Sequence, residues 1–267
     1  MKYRFFYTIL FILFLCTACA TSPTGRSQLQ FFSPQKLSEM GRMSYRQLKK
    51  DEKVIRGQEV NSFVNCVVRS IDSALPASAG SRQWQITVFD NDKAVNAFAL
   101  PGGYIGVYTG LLKIIDNQDQ LAAVIGHEIA HVTAGHPNAR LSSQYATQAG
   151  LQAVNAFLEG QVGGSTRTIM ALLGLGSQVG ILLPFSRSQE QEADILGLQY
   201  MARAGFDPGQ SIQLWKNMSR AGGEKPPEFL STHPSDYSRI QSLQAHMPEA
   251  MELYRRARQQ NRIPQCR

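Results

Sequence analysis

Apolar side chains return every three to four residues along most of this chain, and alternate with polar ones in one short stretch before its middle. The first spacing belongs to helices packed on one face, the second to a half-buried strand. Residues 34–75 read as one or two amphipathic helices, with Ser33 a candidate cap before Pro34. Trp84-Gln85-Ile86-Thr87-Val88-Phe89 alternates as a strand, Asn96–Leu100 reads as a second, and Tyr104–Tyr108 as a third. Pro101-Gly102-Gly103 supplies the turn between the last two. Helical spacing returns over 119–135 through Leu121, Val124, Ile125, Ile129 and Val132, with Asp119 near the start and Gly135 at the end. It recurs over 141–158, near 208–221 (Asp207 as cap, Pro208 in the first turn) and over 235–260. Glu159–Thr166 is a glycine-rich break, and 222–227 is a loop leading to His233. Residues 168–185 carry no charge, but glycines, Ser177 and Gln178 interrupt them. A buried helix or mobile cover is expected there, with a membrane-dipping segment as the alternative.

The first residues form an address. Lys2 and Arg4 precede an apolar run, Phe5–Leu15, too short to span a bilayer comfortably and suited to a signal-peptide core. It ends in Cys16-Thr17-Ala18-Cys19, where small residues before Cys19 resemble a bacterial lipobox, although Cys16 stands where leucine is usual. Residues 1–18 are therefore expected to be a lipoprotein-type signal peptide, with Cys19 diacylated as the mature N-terminus and 19–33 a tether. Ala20, rather than aspartate, after Cys19 favours the outer membrane. A soluble periplasmic protein is the alternative, and a retained N-terminal anchor a third. Export leaves Cys66 and Cys266 as the remaining pair, and an oxidising compartment favours a disulfide between them over two free thiols.

The chemistry lies in the helix predicted over 119–135, as His127-Glu128-Ile129-Ala130-His131. Residues four apart on a helix share a face, so both imidazoles can point at one metal ion. Glu128 projects beside them, where it can take a proton from a water on that ion. A third protein ligand is needed. His136 is in the wrong register, five residues past His131, and is expected beyond Gly135, capping the last carbonyls of the helix. Glu190 and Asp194, in Ser186-Arg187-Ser188-Gln189-Glu190-Gln191-Glu192-Ala193-Asp194, are four apart on a second helix. Glu190 can complete a His-His-Glu site, and Asp194 can bond the free ring nitrogen of a ligand histidine.

The formal charge of +7 changes the picture little. Cations are scattered, with small clusters at 46–53 and 255–262 that read as solvated helix faces with at most a weak attraction to anionic membranes. No nucleic-acid partner is expected, and there is no internal repeat, phosphate-binding loop or nucleophilic serine or cysteine motif.

These blocks, with Thr232-His233-Pro234 and Arg239 six residues past the histidine, resemble the forty-eighth metallopeptidase family. These gluzincins include the membrane protease HtpX, the CAAX-prenyl endopeptidase and the mitochondrial OMA-type protease. The look is nearest to the bacterial periplasmic members BepA and LoiP. Val95-Asn96-Ala97-Phe98-Ala99-Leu100-Pro101-Gly102-Gly103 also resembles the family's strand before the zinc helix, so the likeness runs from about residue 84 to 239. It implies an α+β, mainly helical, zincin-like fold with a small sheet over the active-site helix. The metallopeptidase domain is then 34–247, with 248–267 a C-terminal helix and tail. It implies one zinc ion per chain on His127, His131 and Glu190, with Glu128 as general base and Asp194 behind the ligands. His233 is implied as a removable fourth ligand or a polar group near the reacting carbonyl; a histidine with a merely structural hydrogen bond is the alternative. His233 or Arg239 would stabilise the oxyanion. Substrate backbone would pair with the edge strand at Asn96, Ala97, Phe98 and Ala99, with Phe98 and Leu100 on the face opposite Ala97 and Ala99.

The implied function is a zinc endopeptidase acting on unfolded or misfolded envelope proteins in periplasmic or outer-membrane quality control. The outer-membrane assembly machinery is a further candidate partner. The alternative is a chaperone-like binding module whose protease activity is latent or repressed.

Overall fold

The computed structural model describes residues 19–79, 83–156, 185–221, 228–233 and 237–267. The signal-peptide segment 1–18, the glycine-rich break, the uncharged run up to residue 184 and the loop 222–227 lie outside them.

The described residues open on a hairpin. Strands β1 (Cys19–Thr21) and β2 (Ser27–Leu29) pair antiparallel, with Ala20 opposite Gln28. The turn closes through Ser22 N–H to Arg26 O at 2.9 Å, with Gly25 at a φ of 90° that glycine adopts without strain. Helices α1 (Pro34–Asp51) and α2 (Gln58–Ala74) follow, the first capped by the Ser33 hydroxyl, which accepts from Lys36 N–H.

Strands β3 (Gln85–Phe89), β4 (Ala97–Leu100) and β5 (Tyr104–Tyr108) form one sheet in the order β3-β5-β4. β4 and β5 are antiparallel across the Pro101-Gly102-Gly103 turn, where both glycines have positive φ; β3 lies parallel to β5. The sheet is buried on both faces. Val88, Ala97, Ala99, Ile105 and Val107 join the main core with α2. Phe89, Phe98, Leu100, Tyr104 and Tyr108 pack instead with Leu37, Met40, Tyr45 and Leu48 of α1.

After the short α3 (Thr109–Leu112) comes α4 (Gln118–Thr133), capped by the Asn117 side chain, which accepts from Asp119 and Gln120 N–H. Every residue from Gln120 to Val132 is buried. The remaining helices are α5 (His136–Ala156), α6 (Arg187–Arg203), α7 (Gln210–Ala221), α8 (Glu228–Thr232) and α9 (Tyr237–Gln259). The architecture is mainly helical α+β, as expected. None of the described helices is long and apolar enough to cross a membrane.

Helices α4 and α6 touch backbone to backbone. A Cβ on Gly197 would lie 2.7 Å from His127 N, and one on Gly126 would lie 2.8 Å from Gly197 O. Glycine costs about 1 kcal/mol against alanine inside a helix, so this approach is maintained against propensity. Gly197→Ala is expected to lose about 1–3 kcal/mol in urea unfolding, because the overlap is with backbone that cannot rotate aside. An unchanged or raised midpoint would show that the two helices can part freely.

The C-terminal tail folds back over the start of α4. Cys66 and Cys266 form a disulfide with Cα atoms 5.5 Å apart. Gln118 holds the same tail through both ends of its amide, donating to Pro264 O at 2.9 Å and accepting from Cys266 N–H at 2.7 Å.

Candidate metal centre

Three segments converge beneath the sheet. Helix α4 presents His127 and His131 one turn apart. Helix α6 starts with a capping box, Ser186 with Gln189, which places Glu190 in its first turn and Asp194 one turn later. The third segment follows α8, where His233 N–H donates to Phe229 O at 2.8 Å. One ligand atom from each of His127, His131, Glu190 and His233 lies within 4.8 Å of the others, and all four residues are buried.

The spacing fits a tetrahedral ion. Metal–ligand bonds of about 2.0–2.1 Å place neighbouring ligand atoms about 3.3 Å apart. His127 Nε2 lies 3.0 Å from His131 Nε2, 3.3 Å from Glu190 Oε2 and 3.2 Å from His233 Nδ1. Glu190 Oε1 lies 3.4 Å from His131 Nε2 and 3.0 Å from His233 Nδ1. Glu190 Oε2 is buried with His127 Nε2 and, at 3.0 Å, the Arg239 guanidinium as its charged neighbours. The two histidines of α4 differ in their hold on a proton: burial keeps His131 well below its usual range. Burial opposes charge on His127, but its bonds to Asp194 and Glu190 outweigh that and push the ring up to about 9. Burial opposes ionisation of Glu190 too, yet His233 and His131 hold its carboxyl well below the usual range.

Asp194 Oδ1 lies 3.0 Å from His127 Nδ1, the nitrogen turned away from the cluster. The guanidinium of Arg239, which with His233 was a candidate to face an oxyanion, contacts the carboxylates of the site. Nε and Nη2 donate to the two oxygens of Asp194 at 2.7 and 2.6 Å, and Nη1 lies 3.0 Å from Glu190 Oε2. Nη1 also donates to the His233 carbonyl at 3.2 Å, and the group lies 4.0 Å over the Trp215 ring. Its contacts bind the site's carboxylates together, because a guanidinium fork matches a carboxylate and a buried carboxylate needs a cation.

Glu128 sits on the sheet side. Its carboxyl accepts from the Ala99 backbone N–H, and Oε1 lies 3.4 Å from His233 Nε2. Burial raises its pKa. Among the described residues no strand pairs with the other edge of β4. Asn96, Ala97, Phe98 and Ala99 are all buried, backbone included, so this edge is covered in this structure. Just before the strand, Val95 O accepts from Phe229 N–H at 3.1 Å, tying α8 to it.

His136 departs from expectation. It lies beyond Gly135 but opens α5 instead of capping α4, and its ring Nδ1 lies 2.9 Å from His131 Nδ1. The carbonyl of Ala134 is taken by the Gln28 side chain, 2.7 Å away. Pattern reading also passed over Glu192, buried and 3.1 Å from His136 Nε2, and Arg140, buried with its guanidinium 3.8 Å from the Phe185 ring centre. The imidazole five residues past His131 was a usable signal; nothing in the pattern set Glu192 or Arg140 apart from solvated helix residues.

Residues 56–247 match Peptidase family M48. The mitochondrial metalloendopeptidase OMA1 of Schizosaccharomyces pombe is 39% identical over 172 residues, covering 63% of this chain and 48% of that protein. The corresponding protein of Bos taurus is 33% identical over 265 residues, 92% of this chain and 49% of its own length. The Beta-barrel assembly-enhancing protease of Escherichia coli K12 is 32% identical over 213 residues, covering 76% and 42%. The chain thus spans about half the length of the curated relatives it matches. With the matched region carrying both helices of the centre and the loop that brings His233, the chain belongs to peptidase family M48, the zinc metallopeptidases.

Proposed function

We propose that this chain is a zinc metalloendopeptidase acting on unfolded or misfolded proteins of the cell envelope. The observation that carries it is the gathering of three nitrogens and a carboxylate at tetrahedral spacing, with the Glu128 carboxyl against both His233 and the edge strand. When bound by His127, His131 and Glu190, zinc supplies Lewis acidity for the peptide carbonyl and lowers the pKa of a water toward neutrality. Once this edge is uncovered, the backbone of Ala97–Ala99 orients the peptide as an added strand. Glu128 accepts the proton of the attacking water and hands it to the leaving amine, a role that a carboxyl raised by burial suits. Asp194 keeps His127 in the tautomer that leaves its Nε2 free for the ion.

With an ion on His127, His131 and Glu190, His233 would take the position that a water needs, and its Nε2 lies 3.4 Å from Glu128 Oε1. Hydrolysis requires this ring to swing out. The test is cleavage of casein by the purified mature chain and its His233→Ala variant, with metal analysis of both. About one zinc per chain is expected in each, with the variant roughly tenfold faster, as when a competent state near 10% occupancy becomes fully populated. Slower cleavage by the variant would make His233 an aid to catalysis. Zinc without cleavage in either would favour the second reading, a chaperone-like module with a latent centre, which the placement of His233 supports.

The place of action is the periplasm, with an outer-membrane lipid anchor on Cys19. This rests on the apolar run before Cys19 and on Ala20 after it, since two of the cited relatives are named mitochondrial. The name of the Escherichia coli relative supports the outer-membrane assembly machinery as a partner.

A further inference from the structure

We infer that the N-terminal hairpin is a working part of the metal centre: Thr24 and Arg26 fix Glu192, Glu192 fixes His136, and His136 orients the imidazole of His131. The inference rests on the reading of His131 as a zinc ligand through Nε2.

That reading sets the direction of every hydrogen bond in the chain. With Nε2 committed to the ion, the proton of His131 is on Nδ1, and it is donated to His136 Nδ1 2.9 Å away. His136 must then carry its own proton on Nε2, which faces Glu192 Oε2 at 3.1 Å. His136 has no exposed surface, so water cannot replace either partner. Glu192 is held in turn by the hairpin: Thr24 Oγ1 donates to Oε1 at 2.8 Å and Arg26 Nε to Oε2 at 3.0 Å. Arg26 also grips Gln28, whose amide caps Ala134 at the end of α4. The hairpin therefore touches α6 and α4 together, one at a carboxylate and the other just past the second histidine.

Each histidine of α4 consequently has a carboxylate of α6 behind it. His127 has Asp194 directly; His131 has Glu192 through one interposed imidazole. Carboxylates behind metal-bound histidines fix ring orientation and raise ligand basicity. The hairpin residues 22–28 lie outside the span 56–247 that matches the family, whereas Asp194 lies within it.

The test compares the mature chain with Glu192→Ala, Glu192→Gln and Arg26→Ala. Three quantities are read: zinc Kd by competition with a chromogenic chelator, the visible spectrum of the cobalt(II) form, and the melting temperature of the metal-free form. Glu192→Ala is expected to weaken zinc about 10- to 100-fold and shift the cobalt bands. Glu192→Gln, which keeps an acceptor for His136, should recover much of that affinity. Arg26→Ala, at a partly exposed residue, should fold normally and weaken zinc several-fold. Wild-type zinc binding with Kd values within twofold and identical cobalt spectra in Glu192→Ala and Arg26→Ala would overturn the inference and leave the zinc site standing. Should Glu192→Ala fail to fold, Arg26→Ala decides alone. A wild-type chain that takes up no zinc would remove the site and this inference with it.

Discussion

Glu128→Gln is expected to keep its zinc and lose peptide hydrolysis by a factor of about 10²–10⁴, the usual contribution of a positioned general base. The amide occupies the same volume, so the buried wall between α4 and β4 is undisturbed, and its oxygen can still accept from Ala99 N–H. It cannot accept a proton from water. His131→Ala should bind zinc far more weakly and lose activity, because only His127, Glu190 and the displaceable His233 remain to hold the ion. The two variants together separate chemistry from binding. Cleavage of casein by Glu128→Gln within tenfold of wild type, at equal zinc content, would remove Glu128 from the reaction.

Arg239→Met is expected to destabilise the fold by about 3–5 kcal/mol, the range seen when one partner of a buried ion pair is removed. Both partners here are carboxylates with almost no exposure, and Asp194 receives two of the guanidinium nitrogens. Methionine would fill the space above Trp215 but leave two buried acids sharing fewer cations. Arg239→Lys should recover little, since an ammonium cannot form the fork on Asp194 while reaching Glu190. Native domains have only about 5–15 kcal/mol to spare, so the loss would be plain in urea unfolding. A change below about 1 kcal/mol would mean that zinc or water carries the charge balance.

Secondary structure could be read from the chain because its signals are local. Alternation marked β3, a proline-glycine-glycine turn marked the β4–β5 hairpin, and spacing marked the helices; the parallel pairing of β3 with β5 has no local signal. Helix α4 is buried all round, so its period says little about orientation, and only residue types disclosed its chemistry. Glu190 and Asp194 could be paired because they are one turn apart. Glu192, two residues from each, falls on another side of α6, which reads as solvated. The hairpin covers it, and contacts such as Thr24 to Glu192, 168 residues apart, leave no trace in spacing. Arg239 was placed near the centre by the family resemblance, which could not tell an arginine facing substrate from one locked onto two acids.

The disulfide has a topological consequence. It joins positions 200 residues apart, and His127, His131, Glu190, His233 and Arg239 all lie between them. A single backbone cut anywhere in that interval, including one the molecule makes on a neighbour of its own kind, leaves the two pieces covalently joined. Nicked molecules would therefore migrate as one full-mass species until a reductant is added, and only then separate into two fragments.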